Sequence, residues 1–163
     1  MGSIFRFSLL TFSLICILSG CMPAPYFQKV EAVPQNAWAY NFTPAFTFDI
    51  LDTNTTYQPY LIIRHTQAYP YCNLWIWLHI KKPGDTTTRK ERINITLAEA
   101  TGKWMGRGMG EIYEQRMPLK LRDSIRLDKA GTYTISLEQN MRINPLPEVL
   151  NVGLRVEKTG IRK

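Results

Sequence analysis

Between Leu74 and Ile80 the chain reads Leu-Trp-Ile-Trp-Leu-His-Ile, with an aliphatic residue at every second position. Side chains of an extended strand point alternately to opposite faces, so Leu74, Ile76, Leu78 and Ile80 share one face and Trp75, Trp77 and His79 the other. The same period recurs at Phe46, Phe48 and Ile50, at Ile93, Ile95 and Leu97, at Tyr133, Ile135 and Leu137, and at Val152, Leu154 and Val156. Tyr60 to His65 is a compact apolar-rich run, and no long stretch keeps a helical period. Half-buried strands bounded by Pro, Gly and Asn predict an all-β fold, an antiparallel β-sandwich of immunoglobulin-like or jelly-roll topology. Turn chemistry agrees. Lys82-Pro83-Gly84-Asp85 suits a hairpin tip, and Lys129-Ala130-Gly131 leads into the Tyr133 strand.

The N-terminus has a different character. Arg6 is its one charge, and Phe7 to Leu18 is apolar apart from Ser and Thr. That run is short for a bilayer core, which takes about 20 helical residues. A charged start, a short apolar run and a small-residue exit describe a signal peptide. The exit, Leu18-Ser19-Gly20-Cys21, resembles the lipobox of bacterial lipoproteins, in which the cysteine thiol accepts a diacylglyceryl group. The expected organisation is a lipoprotein signal peptide over 1–20, a lipidated tether over 21–25, a β-sandwich domain over 26–158 and a basic tail over 159–163. The tether, with Met22-Pro23-Ala24-Pro25, cannot form helix.

Composition excludes some function classes. At 45% hydrophobic and 20% charged residues the chain is globular. Loss of Arg6 with the leader takes the net charge from +7 to +6. A basic domain gains salt-screened attraction to anionic membrane or wall surfaces. Export argues against nucleic acid as a partner. Cys16 leaves with the leader and Cys21 carries lipid, so Cys72 has no intramolecular disulfide partner and the fold must rest on its core. Cys72 is expected to be a buried, inert thiol.

Motifs with chemical promise dissolve on inspection. The run Gly102-Lys103-Trp104-Met105-Gly106-Arg107-Gly108-Met109-Gly110 lacks the Gly-Lys-Ser/Thr close of a phosphate loop and the spacing of a dinucleotide fingerprint. It reads as a Gly-rich surface loop that lets backbone approach backbone, or a partner. Trp75 and Trp77 would form an aromatic platform for sugars if their face were open; a strand buried on both faces is the preferred reading. Lys81, Lys82, Arg89, Lys90 and Arg92 flank the Pro-Gly turn, either as a patch for a membrane or acidic partner or, the preferred reading, as cations that discourage edge pairing of an exposed hairpin. No nucleophile elbow or metal-ligand spacing is present, and Glu111 and Glu114 alone do not make a glycosidase cleft. No enzyme activity, cofactor, metal or small-molecule substrate is expected.

Three irregular motifs carry a family resemblance. They are Arg64-His65-Thr66 with Tyr69-Pro70-Tyr71-Cys72-Asn73-Leu74-Trp75; Thr101-Gly102-Lys103-Trp104 with Gly106, Gly108 and Gly110, then Ile112-Tyr113; and Leu137-Glu138-Gln139 with Met141-Arg142, Asn144-Pro145-Leu146-Pro147 and Val152-Gly153-Leu154-Arg155. Together they resemble the gliding-motility lipoprotein GldH family of Bacteroidota, over roughly residues 26 to 158. Cys72 and Glu111 depart from the family pattern. The resemblance implies a non-enzymatic envelope lipoprotein, a structural or assembly component of the gliding-motility or type IX secretion apparatus, with other envelope proteins of that apparatus as partners. The alternative is a carbohydrate-binding surface lipoprotein using Trp75 and Trp77.

The candidate partner surface comprises Tyr69, Tyr71 and Asn73 in one irregular segment and Trp104 and Arg107 in the Gly-rich loop, with tight internal packing as the other reading. Ser124, in Asp123-Ser124-Ile125, resembles an O-glycosylation acceptor of exported proteins in that phylum. Met22 follows Cys21 where an Asp would retain a lipoprotein at the inner membrane, and Pro23-Ala24-Pro25-Tyr26 lacks an acidic surface-export cluster. The expected location is the outer membrane, facing the periplasm, with lipid at Cys21 as the anchor. Cys21→Ala should abolish palmitate labelling and leave a soluble or uncleaved form; a mutant that still takes up palmitate would exclude Cys21 as the anchor.

Overall fold

The computed structural model describes residues 24–121 and 126–161, so the leader, Cys21 and Ser124 lie outside the described residues. The strands are β1 Phe27–Ala32, β2 Ala37–Trp38, β3 Ala45–Ile50, β4 Thr55–Thr66, β5 Asn73–Lys81, β6 Arg89–Thr96, β7 Arg107–Met109, β8 Ile112–Pro118, β9 Gly131–Gln139, β10 Leu146–Pro147 and β11 Val149–Ile161. A single 3₁₀ turn, Pro34–Asn36, interrupts them. Two antiparallel sheets pack face to face, one ordered β1-β11-β4-β8-β7 and the other β3-β9-β5-β6, with β2 and β10 forming a short ladder of their own. The all-β sandwich expected from the alternation is what the chain forms. Only β5–β6 and β7–β8 are neighbours both in sequence and within a main sheet. The remaining pairings are long-range, which makes the core rather than local turns responsible for strand order.

Each expected period-two run lies on a strand, apart from Leu97 just past the end of β6, with its apolar set inward. Phe46 and Ile50 of β3, Leu74, Ile76, Leu78 and Ile80 of β5, and Tyr133, Ile135 and Leu137 of β9 have no exposed surface. They face Leu61 and Ile63 of β4 and Val152, Leu154 and Val156 of β11, also fully buried. Gly84 supplies the left-handed turn between β5 and β6 with φ 77°, as the Pro-Gly sequence requires. Gly153 serves another purpose. A Cβ there would come within 2.6 Å of the Lys29 carbonyl oxygen, so only glycine lets β1 lie this close to β11.

Two expectations need correction. Trp75 and Trp77 are not buried on both faces. They stand half-buried on the outer face of their sheet, where the Arg92 guanidinium lies 4.2 Å from the Trp75 ring centre and the Lys90 ammonium 4.5 Å from that of Trp77. A sandwich covers one face of each sheet with protein, and here long cationic side chains from the neighbouring edge strand β6 cover the other. Cys72 is exposed rather than buried. Its carbonyl accepts from the Leu97 and Ala98 N–H groups, which fixes the backbone at the entrance to β5. The basic residues around the Pro-Gly turn divide. Lys82 is buried against Asp128 at 2.9 Å, Arg89 pairs with Asp85, and Lys81 is exposed.

Leu78 is fully buried opposite Leu137. Leu78→Ala should cost about 2–5 kcal/mol, whereas Lys81→Ala should stay within about 0.5 kcal/mol, both read from urea unfolding midpoints at unchanged slope.

Candidate functional site

The strand directions give the sandwich two unlike ends. Tyr26 fixes where the tether leaves. Its hydroxyl donates to the Asp49 carbonyl at 2.7 Å, and its ring meets Tyr57 edge-on at 4.9 Å, so it is clamped between the two sheets. The turn after β3, the Pro-Gly turn and the C-terminal end of β11 share that proximal end. The distal end gathers the end of β4, the β7–β8 turn, residues 67–72, residues 97–106 and the segment that leads through β10 into β11.

An aromatic cluster organises the distal end. His65, near the end of β4, has no exposed surface. Its Nδ1–H donates to the Thr66 carbonyl at 2.8 Å, and the Gln115 amide donates to its Nε2 at 2.7 Å, which defines a neutral imidazole. Trp104 meets the imidazole edge-on at 4.5 Å, Tyr69 lies at 5.2 Å and Tyr113 stacks at 5.8 Å. Burial holds the His65 pKa below its ordinary 6.5, against a smaller opposing effect of the Thr66 carbonyl. The Gln115 Oε1 is buried without a hydrogen-bond partner in this arrangement. Protonating His65 would set two N–H groups face to face unless the amide turned over.

The glycines make the cluster possible. A Cβ on Gly106 would fall 2.4 Å from the Gln115 Cγ and 2.5 Å from the Glu114 carbonyl oxygen, and one on Gly108 would fall 3.0 Å from the Tyr113 ring. The Gly-rich run therefore brings backbone against backbone. It pairs Trp104 with Ala98 and then forms the edge strand β7 of a hairpin.

Of the five residues named from sequence, the structure brings three together. Tyr69 is buried, with its hydroxyl donating to the Asn73 carbonyl at 3.1 Å. Trp104 is half-buried against it, and Tyr71 packs edge-on to Tyr69 at 6.0 Å. Asn73 instead donates to Asn94 across the β5–β6 ladder at 2.8 Å. Arg107 is exposed on β7, in register with Glu114, whose carboxylate is held by Arg64. Sequence reasoning missed His65, Tyr113 and Gln115 as site residues, although His65 and Tyr113 stand inside the motifs already singled out. Around the cluster, Met105, Met109 and Ile112 expose 52%, 84% and 39% of their surface.

Chemically, this arrangement offers a rigid apolar surface. His65 is sealed from solvent, and among the described residues no three His, Cys, Asp or Glu side chains come together as a metal site. Because folding depresses the His65 pKa, the unfolded chain binds the extra proton first. The contribution of His65 to stability should be intact above pH 6.5 and lost as pH falls below it. Denaturant titrations at pH 7.5 and 5.5 (about one unit either side of the ordinary histidine value) should show this loss, and His65→Gln should reduce it.

Comparison with known proteins agrees with the motifs. The profile of the family described as GldH lipoprotein matches residues 25–156. The chain is 26% identical to a gliding motility lipoprotein GldH homolog of Christiangramia forsetii, over 98% of this chain and 99% of that protein. It is 24% identical to the gliding motility lipoprotein GldH of Flavobacterium johnsoniae, over 87% of this chain and 90% of that protein. With a profile match over most of the length and all three motifs inside it, the chain belongs to the GldH lipoprotein family.

Proposed function

We propose that this chain is a non-catalytic lipoprotein that serves as a structural or assembly component of the gliding-motility or type IX secretion apparatus. In this reading it is anchored through lipid at Cys21 to the outer membrane, faces the periplasm and docks other envelope proteins of the apparatus with its distal end. The observation that carries the docking is the distal patch. Met105, Met109 and Ile112 are exposed around the rigid Trp104–Tyr113–His65 packing, on the end of the sandwich opposite the tether. Apolar side chains held on a stiff base at the free end of an anchored domain are suited to a protein partner. The names of the two relatives support the gliding-motility part of this reading. Carbohydrate binding draws less support, because Arg92 and Lys90 occupy the ring faces of Trp75 and Trp77 that a sugar would stack on. Ser124 is retained as a proposed O-glycosylation acceptor.

Met109 and Ile112 face each other across the β7–β8 hairpin. Replacing both with Asp should lower co-purification of other motility or secretion lipoproteins about tenfold or more, the loss expected for interface anchors. Lipidation and protein level should be unchanged, and spreading and type IX cargo in the medium should fall with it. Undiminished co-purification and spreading would remove this patch from the interface.

A further inference from the structure

The proximal end carries a second character that the anchor alone does not explain. Leu51, just after β3, and Ile161, at the end of β11, are 82% and 83% exposed. The strand register puts them on the same end: Ile161 pairs with Thr55 across the turn from Leu51. Lys120, Lys129 and Lys158 are exposed there too. Lys158 reaches over the Tyr26 ring at 5.3 Å, beside the point where the tether leaves.

Of the carboxylates described at this end, Asp128, Asp85 and Glu157 are paired with cations, whereas Asp49 and Asp52 are held by neutral donors and keep their charge. Asp52 accepts from Thr55 and the Asn54 N–H, Asp128 pairs with Lys82, Asp85 with Arg89, and Glu157 with Arg116 and Arg155. Against Asp49 and Asp52 stand the exposed Lys120, Lys129 and Lys158, so cations remain in excess. Between the tether residues Ala24 and Pro25 and the sheet lies a cleft of about 630 Å³ lined by Arg116, Arg155 and Lys158, with Glu157 as its one acid. Exposed aliphatic side chains set among cations match the boundary of an anionic bilayer, where lysines meet phosphates and aliphatic tips enter the acyl edge.

Geometry brings that boundary within reach. Tyr26 lies five positions after Cys21. Fully extended, that stretch spans at most about 18 Å. With lipid at Cys21, the proximal end is held within that distance of the bilayer, where even a weak contact is favoured by the high effective concentration.

We propose that the proximal end of the sandwich is a membrane-contact face, on which Lys120, Lys129 and Lys158 bind an anionic lipid surface and Leu51 and Ile161 insert at its edge. This contact would orient the domain with the aromatic distal end outward. It rests on the tether at Cys21, not on the identity of the partner proteins.

The test uses the mature chain from residue 21, with Cys21→Ser removing the lipid. It should float with vesicles of phosphatidylglycerol and phosphatidylethanolamine, not with phosphatidylcholine alone, and salt should release it. Each lysine changed to Ala among Lys120, Lys129 and Lys158 should weaken binding about fivefold. Leu51→Ser with Ile161→Ser should weaken it further. Lys103→Ala with Arg107→Ala, at the distal end, should leave it unchanged and controls for charge alone. Failure to float with anionic vesicles, equal binding to phosphatidylcholine, or loss confined to the distal variant would each overturn the proposal. The assay contains neither the lipid anchor nor a protein partner, so its failure would leave lipidation and distal docking to their own tests.

Discussion

Everything in this domain hangs on the apolar contact between its two sheets. Cys72 is a free thiol, so no covalent staple within the domain shares that burden. The inward faces of β5 and β9 supply Leu74, Ile76, Leu78, Ile80, Ile135 and Leu137, and β4 and β11 answer with Leu61, Ile63, Val152, Leu154 and Val156. Apolar burial is non-directional, and it holds strands together whatever their order along the chain. That freedom permits a topology in which most sheet neighbours are distant in sequence. The ends of the sheets are then free to carry loops whose chemistry differs.

That difference organises the functional reading. At the proximal end Tyr26 ties the tether to both sheets and cations predominate. At the distal end Trp38 is fully buried, its indole N–H donating to the Phe42 carbonyl, and it pairs with Leu146 across the short β2–β10 ladder. The β4–β8 register sets Tyr113 opposite His65, and Gly106 and Gly108 let the neighbouring backbone close onto Gln115 and Tyr113. Aromatic packing on one end and a cation-rich rim on the other give the domain two unlike ends, the asymmetry on which the proposed docking and membrane contact both rest.

Six strands were legible in the sequence because their alternation matches a one-sided burial. β8 was not. Its one fully buried position is Gln115, a polar residue, and its first residue, Ile112, is exposed, so the apolar alternation is broken at both places. β7 is three exposed residues with no apolar face to signal it. β1 carries Gln28, Lys29 and Glu31 as an edge strand and shows no clean period. Tyr69 and Trp104 were legible as candidates through their motifs, but nothing local tells that Tyr69 would be sealed under Trp104.

The sequence by itself determined the fold class, the organisation expected of an exported lipoprotein and the family, because alternation, the leader pattern and irregular motifs are written in consecutive residues. Tertiary structure alone decided what covers the outer faces and what meets at the ends. Arg92 and Lys90, not a protein layer, cover Trp75 and Trp77, because β6 lies beside β5 at the sheet edge. His65 meets Gln115 across fifty positions of sequence, because β5 and β6 belong to the other sheet and β8 is the strand that pairs beside β4. Alternation specifies which face of a strand is buried, but it carries no information about which strand lies next to it. Neighbours are chosen by how the assembled sheets share one core.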